Sequence, residues 1–200
     1  SELDILDPDA CRRYMDIHRP VLAIHCAGYV NALKAEYERA LCWNVNFQGT
    51  RNIAKASHGA RFAHISTDYV FDGLAGDYAE DDIPHPINEY GRSKLAAEEA
   101  VLIDHPSALI LRVPFRYGPP WPYVAAFTDQ WTSARFIAEV VPDILRAVTM
   151  NITGVLHIGG PRRCIHDMAY EVSHTVGKLL REDVLVPLPR DVSLNSTLWH

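Results

Sequence analysis

Two residues stand out for the chemistry they could do. Tyr90 and Lys94 place a phenol and an ammonium four positions apart in Tyr90-Gly-Arg-Ser-Lys94. On a helix this spacing puts both on one face. Reduction of a carbonyl by hydride needs a proton delivered to the forming alkoxide. A tyrosine can deliver it, although its ordinary pKa near ~10 is high for neutral solution. An ammonium held close stabilises the phenolate and lowers that pKa. The same spacing also suits an ordinary helix-surface contact, so the surroundings must discriminate. Twenty-three residues ahead of Tyr90 lies Thr67, in His64-Ile-Ser-Thr-Asp-Tyr-Val-Phe-Asp-Gly73. A hydroxyl there, at the carboxyl end of a parallel strand, sits where open α/β sheets bind ligands and could hold the substrate carbonyl. Ser66 and Thr67 equally suit a plain strand-end turn.

The elements that would position these residues can be read along the chain. Pro8 to His18 is expected to be a helix capped by Asp7, with proline in its first turn. The apolar runs Val21–His25, Arg61–Ser66, Ala108–Val113 and Val155–Ile158 are too short for helices and are expected to be buried strands. Between them, helices are expected over Tyr37–Ser57, Glu89–Ile103 (capped by Asn88), Arg135–Met150 (bent or split by Pro142) and His166–Arg181. Strand–helix alternation with continuously apolar strands implies an α/β fold, a doubly wound parallel sheet covered on both faces. The proline-rich stretch Pro114–Pro122 marks a soft boundary. Residues 1–118 form the expected nucleotide-binding part, and residues 119–200 a small substrate lobe whose late strand and helix return to the core.

Composition narrows the function classes. With 48% hydrophobic and 22% charged residues the usage is ordinary for a globular chain of 200 residues. A net charge of -6 without a Lys/Arg block argues against a nucleic-acid partner. No apolar run is long enough to span a bilayer, so no membrane partner is expected. The four cysteines, Cys11, Cys26, Cys42 and Cys164, lack CxxC spacing and suit reduced thiols in a cytoplasmic protein. The ten histidines form no ligand-like cluster, and no metal is expected.

Ile65-Ser-Thr-Asp-Tyr-Val-Phe-Asp-Gly73, followed by Pro84-x-Pro-Ile-Asn-x-Tyr-Gly-x-Ser-Lys-x-Ala-x-Glu98, resembles the dTDP-4-dehydrorhamnose reductase family of extended short-chain dehydrogenases/reductases. Ile24-His-Cys-Ala-Gly28, Trp43-Asn-Val-Asn-x-x-Gly-Thr-Arg-Asn52, Leu111-Arg-Val-Pro-Phe-Arg-Tyr-Gly118 and Gly154-Val-Leu-His-Ile-Gly159 agree in order, so the likeness covers nearly the whole chain. It implies a Rossmann-like fold, and reduction of a nucleotide-linked 4-keto-6-deoxy-sugar by NADPH or NADH in dTDP-L-rhamnose formation. It implies Tyr90 as general acid and Lys94 as the group that orients it and holds the nicotinamide ribose. Thr67 would contact the reacting carbonyl, Asp68 would bind the sugar, and Phe115 would lie beside the substrate. Cys26, Ala27 and Gly28 would border the cofactor, with Asp4 and Ile5 against its adenine. Asn46 would either support the active site or simply cap or kink its helix. The partner expected is the nucleotide-sugar, with a homodimer possible.

The chain departs from the family in three places. The glycine-rich first turn that receives a pyrophosphate is not among these residues. Ser1 resembles the region just after the family's second strand, so the N-terminal βαβ portion, about fifty residues, is expected to be missing. On that basis the strands at Val21 and Arg61 are expected to lack a shared neighbour, and residues 1–200 alone to bind cofactor weakly. The stretch from Gly118 to Asp129 is short, and Val113-Pro114 replaces a Thr-Ser pair. Two other function classes compete. One is a related epimerase or dehydratase, although no Glu stands beside Thr67. The other is a regulatory or scaffold subunit resembling the beta subunit of methionine adenosyltransferase. Trp121, Trp131 and Trp199 are expected to be packing residues, Gly159–Arg163 a solvated turn, and Glu80–Asp82 a solvated loop.

Overall fold

The structure is a computed structural model that describes residues 3–199. In chain order the helices are α1 Pro8–His18, α2 Ala32–Ala35, α3 Arg39–Trp43, α4 Thr50–Ala56, α5 Glu89–Asp104, α6 Ile137–Thr149 and α7 Ile165–Val172. A π-helical turn, Asn44–Gly49, joins α3 to α4. The strands are β1 Leu22–His25, β2 Arg61–Ser66, β3 Leu109–Arg112, β4 Phe115–Arg116, β5 Ala125–Phe127, β6 Trp131–Thr132, β7 Arg135–Phe136, β8 Gly154–His157, β9 Arg163–Cys164 and β10 Gly177–Leu179.

Four strands make the central sheet, in the order β1-β2-β3-β8 and all parallel. Apolar side chains pack on both of its faces. One face gathers Leu109, Leu111, Val140, Val148, Ile158 and Trp199; the other gathers Cys11, Ile53, Phe62, Val101 and Ile110. This two-sided cover is why these strands read as continuous apolar runs rather than alternating ones. The remaining strands form three two-stranded ribbons, β5 with β10, β4 with β7 and β6 with β9, at the carboxyl end of the sheet.

Three sequence expectations need correction. The strands at Val21 and Arg61 need no third strand between them, because β1 pairs directly with β2 from Leu22↔Arg61 to His25↔His64. The other edge of β1 has no strand partner among the described residues. The helix expected over His166–Arg181 stops at Val172; Ser173 caps it, and Gly177–Leu179 instead forms β10 against Ala125–Phe127. The β-branched Thr175 and Val176 followed by Gly177 disfavour a helix and suit this edge pairing. The helix expected over Tyr37–Ser57 is present and runs without interruption from Arg39 to Ala56, with the π turn as its middle section. Pro142 does not split α6, which runs unbroken from Ile137 to Thr149. Pro142 and Ala138 lie on its exposed face, where the carbonyl freed by the missing N–H is solvated.

α5 carries Tyr90 and Lys94 and is fixed at three points. Asn88 caps it, accepting the Gly91 N–H at 2.8 Å. Gly91 lets its first turn press onto the backbone of Tyr69; a Cβ there would lie 2.1 Å from the Tyr69 carbonyl oxygen. Glu98, farther along, is buried against Arg112 of β3, whose guanidinium donates to both carboxylate oxygens at 2.8–3.2 Å. Ser66 at the end of β2 donates to the same carboxylate. Arg112 continues to His157 of β8, whose Nδ1 donates to the carbonyl of Tyr78. Glu80 departs from the solvated-loop reading, accepting the backbone N–H of His157 at 2.9 Å.

Removing one member of such a buried pair strands the other charge without compensation. Glu98→Gln is therefore expected to lower the unfolding free energy by about 3–5 kcal/mol, read from the urea midpoint. A loss under 1 kcal/mol would show that the pair does not hold α5 to the sheet.

Candidate functional site

A cleft of about 640 Å³ opens at the carboxyl ends of the central strands, between α5 and the ribbons of the later residues. Ser66, Thr67, Asp68, Tyr69 and Tyr90 line it together with Phe115, Arg116, Trp121, Tyr123 and Gln130. Its size is ordinary for a small-molecule site.

Thr67 follows directly on β2 and caps the short turn Asp68–Val70 by accepting the Tyr69 N–H at 3.2 Å. The turn that follows carries Asp68 into the interior. Its carboxylate accepts from Thr132 at 2.9 Å and from Thr67 at 3.2 Å. Burial raises the Asp68 pKa, while Arg116 and the two hydroxyls pull it back. Tyr90 sits in the first turn of α5, its ring edge-on to Tyr69 with centroids 5.8 Å apart. Burial pushes the Tyr90 phenol up, with the neighbouring Thr67 hydroxyl opposing, so it holds its proton at neutral pH.

Lys94 lies one turn further along α5 and is buried. Its Nζ donates to the Ile65 carbonyl at 2.7 Å and meets His64 Nε2 at 3.2 Å. Two of its three ammonium protons are thereby engaged. Burial lowers its pKa to about 8, against the pull of Glu98.

Thr67, Asp68, Tyr90 and Phe115 thus share one cleft. The residues expected at a cofactor lie outside its lining. Cys26, Ala27 and Gly28 are exposed just past β1. The Lys94 charge reaches Cys26 and favours its thiolate. Asn46, buried within the π turn, ties this loop to α5. Its Oδ1 accepts the Tyr29 N–H at 2.7 Å, and its Nδ2 donates to Ser93 of α5 at 2.9 Å. Gly28 has little room to spare, since a Cβ would lie 3.2 Å from that Oδ1. Ile5 packs on Gly49, and its carbonyl accepts from Asn52 at 3.0 Å, beside the turn of Asp4. The residues that could hold a cofactor are thus an exposed small-residue loop past β1 and, beside it, a lysine with one proton lacking a protein acceptor among the described residues.

Three site residues escaped the reading of roles from sequence. Arg116 is the one cation lining the cleft among the described residues, and it stands next to Phe115 in the chain. Tyr69, adjacent to Asp68, accepts from Gln130 Nε2 at 2.9 Å. His64 is a lone imidazole flanked by the apolar Ala63 and Ile65 of β2. The first two were detectable as polar groups flanking assigned residues, and the third as a break in the strand's apolar run. Trp199 and Trp131 are packing residues, each under an arginine. Trp121 packs on Ile165 and Ala169 while also lining the cleft. Arg162 and Arg163 are not free in a solvated turn but pair with Asp191 and Glu171.

Residues 1–128 match the family model described as the RmlD substrate binding domain. The chain belongs to this family. Among RmlD relatives, the dTDP-4-dehydrorhamnose reductase of Aggregatibacter actinomycetemcomitans is 35% identical over 167 residues, 80% of this chain and 51% of its own length. Methionine adenosyltransferase 2 subunit beta of Xenopus laevis is 41% identical over 118 residues, 58% of this chain and 35% of its own. The chain therefore spans about half of the first of these relatives and about a third of the second. The structure of dTDP-4-dehydrorhamnose reductase from Bacillus anthracis in complex with NADP superposes with a TM-score of 0.87 at 27% identity, over 98% of this chain and 79% of that one. No group of three or more His, Cys, Asp or Glu gathers as a metal site among the described residues, and no helix there is long and apolar enough to cross a membrane.

The Lys94 ammonium is disfavoured in the folded state, with a pKa of about 8 against 10.5 in the open chain. Between these values the unfolded chain binds more protons than the folded one, so this group adds stability as pH rises through the window. Below the window its penalty is constant. In Lys94→Met, urea titrations across pH 8 to 10.5 are expected to lose the part of the rise that wild type shows. Parallel curves for the two proteins would mean that Lys94 sits in an ordinary setting.

Proposed function

We propose that this protein reduces a nucleotide-linked 4-keto-6-deoxy-sugar with NADPH or NADH, as an RmlD-family oxidoreductase. The observation that carries the reading is the joint lining of one cleft by Thr67 and Tyr90, with Lys94 anchored behind them on β2. A bound nicotinamide would supply hydride to the carbonyl carbon. Tyr90, protonated at neutral pH, gives its proton to the developing alkoxide. Thr67, turning its hydroxyl from Asp68, donates to the same oxygen and polarises it. Lys94, held on the Ile65 carbonyl, contributes an N–H for a ribose hydroxyl. Asp68, Phe115 and Arg116 bound the space for the sugar and its diphosphate. Cys26, Ala27, Gly28, Asp4 and Ile5 border the cofactor. In this reading residues 1–118 form the cofactor side and residues 119–200 the substrate side. The four free cysteines support a reducing, cytoplasmic setting.

The 41% identity to a methionine adenosyltransferase beta subunit supports a second reading, a non-catalytic subunit that keeps the fold. Turnover separates the two. Protein supplied with dTDP-4-keto-6-deoxy-sugar and NADPH is expected to consume the reduced nicotinamide absorbance. Tyr90→Phe is expected to cut kcat by about 10²–10⁴-fold while leaving cofactor affinity within about twofold. Undiminished turnover in Tyr90→Phe removes the general-acid role. Cofactor binding without turnover on any keto-sugar favours the subunit reading.

A further inference from the structure

His64 stands in the interior of β2 between the apolar Ala63 and Ile65. His64 has no exposed surface, and its ring stacks on that of His25 in β1 with centroids 5.4 Å apart. Its Nε2 lies 3.2 Å from Lys94 Nζ. An ammonium only donates, so Nε2 accepts and the ring proton sits on Nδ1. That Nδ1 is buried and has no hydrogen-bond partner among the described residues. An unpaired buried donor destabilises a fold, and a valine or isoleucine would suit the strand without that penalty. The one interaction His64 makes with a charged group is the one to Lys94.

We propose that His64 is a positioning residue for Lys94: its neutral imidazole holds the ammonium on β2 and stabilises the charge, leaving one N–H for a ligand hydroxyl. The catalytic consequence rests on the reductase reading; the pairing itself does not. The groups that face Lys94 are His64 from β2, His25 from β1, Cys26 just beyond β1, Cys42 from α3 and Glu98 from α5. Burial and the neighbouring Lys94 charge depress the pKa of both His25 and His64, so neither imidazole carries a charge that would repel the ammonium. Glu98 is already committed to Arg112 and Ser66. Among these groups His64 supplies the uncharged acceptor, alongside the Ile65 carbonyl. Since both sit on β2, a shift of that strand moves the lysine with it, and Thr67 lies just beyond on the same strand.

The test is a titration of Lys94 in the ligand-free protein, read from its ¹³Cε resonance with lysine labelling and assigned by Lys94→Met. In wild type it is expected near pH 8. His64→Leu removes the acceptor and is expected to lower the Lys94 pKa by about one unit, a tenfold change. His64→Met is the second apolar variant should the leucine fail to fold. His64→Gln, whose Oε1 can accept, is expected to restore the wild-type value to within about 0.3 units. The alkaline limb of the pH–rate profile should move with the titration in each variant, whereas a merely structural loss would lower stability and leave the limb in place. An unmoved Lys94 titration in a folded apolar variant overturns the proposal, as does failure of glutamine to restore it. If the titration moves as expected but wild type itself turns over no keto-sugar, the pairing stands and the reductase reading falls.

Discussion

The buried pair between Glu98 and Arg112 is the constraint on which the rest of the site depends. Both side chains are almost wholly shielded from water, and the carboxylate is reached at once from α5, β2 and β3. Two opposite charges in such surroundings can neither separate nor shift far without exposing one of them to an apolar medium. The pair therefore sets the distance and rotation of α5 against the sheet. Tyr90 and Lys94 inherit their heights above β2 from it. The same carboxylate also favours the Lys94 ammonium, which burial alone would discharge more fully. One interaction thus supports both the framework and the electrostatics of the cleft.

What the sequence made legible was local. The caps at Asp7 and Asn88 sit where their residue types foretell, because an N-cap is decided within four residues. β2 occupies Arg61–Ser66 as read, since a run of six apolar-rich residues bounded by a turn leaves few alternatives. The shared lining of Thr67, Asp68, Tyr90 and Phe115 was legible through spacing and resemblance together. Direct pairing of β1 with β2 was not, because strand order is settled by long-range contacts that periodicity does not encode. The same holds for β10, where a late segment left its expected helix to complete a ribbon with residues some fifty positions earlier. Arg112, Glu98, Ser66 and His157 come from four separate stretches of chain, and only the folded sheet makes them one network.

The buried histidines illustrate a second limit. His25, His64 and His157 look alike in sequence, yet each has a different task. His25 meets the Thr50 hydroxyl at 3.0 Å, His64 faces an ammonium, and His157 bridges a guanidinium to a backbone carbonyl. Imidazole serves all three because its two nitrogens can be donor or acceptor according to tautomer. Which tautomer prevails is dictated by the neighbour, so the role becomes readable only once the neighbour is known.

The widened turn at Asn44–Gly49 carries one consequence for the whole amino-terminal half. A π turn holds one residue more than a regular helix of the same rise, which offsets the angular phase of everything after it by about 100°. Cys42 before the turn contacts Ser93, whereas Asn52 after it contacts the backbone at Ile5. The surplus residue is what lets a single helical rod address two different walls of the molecule. Loss of any one residue from this segment would restore ordinary winding and swing one of those two faces away from its wall. The length of Asn44–Gly49, more than its composition, is therefore the property that variation can least afford to alter.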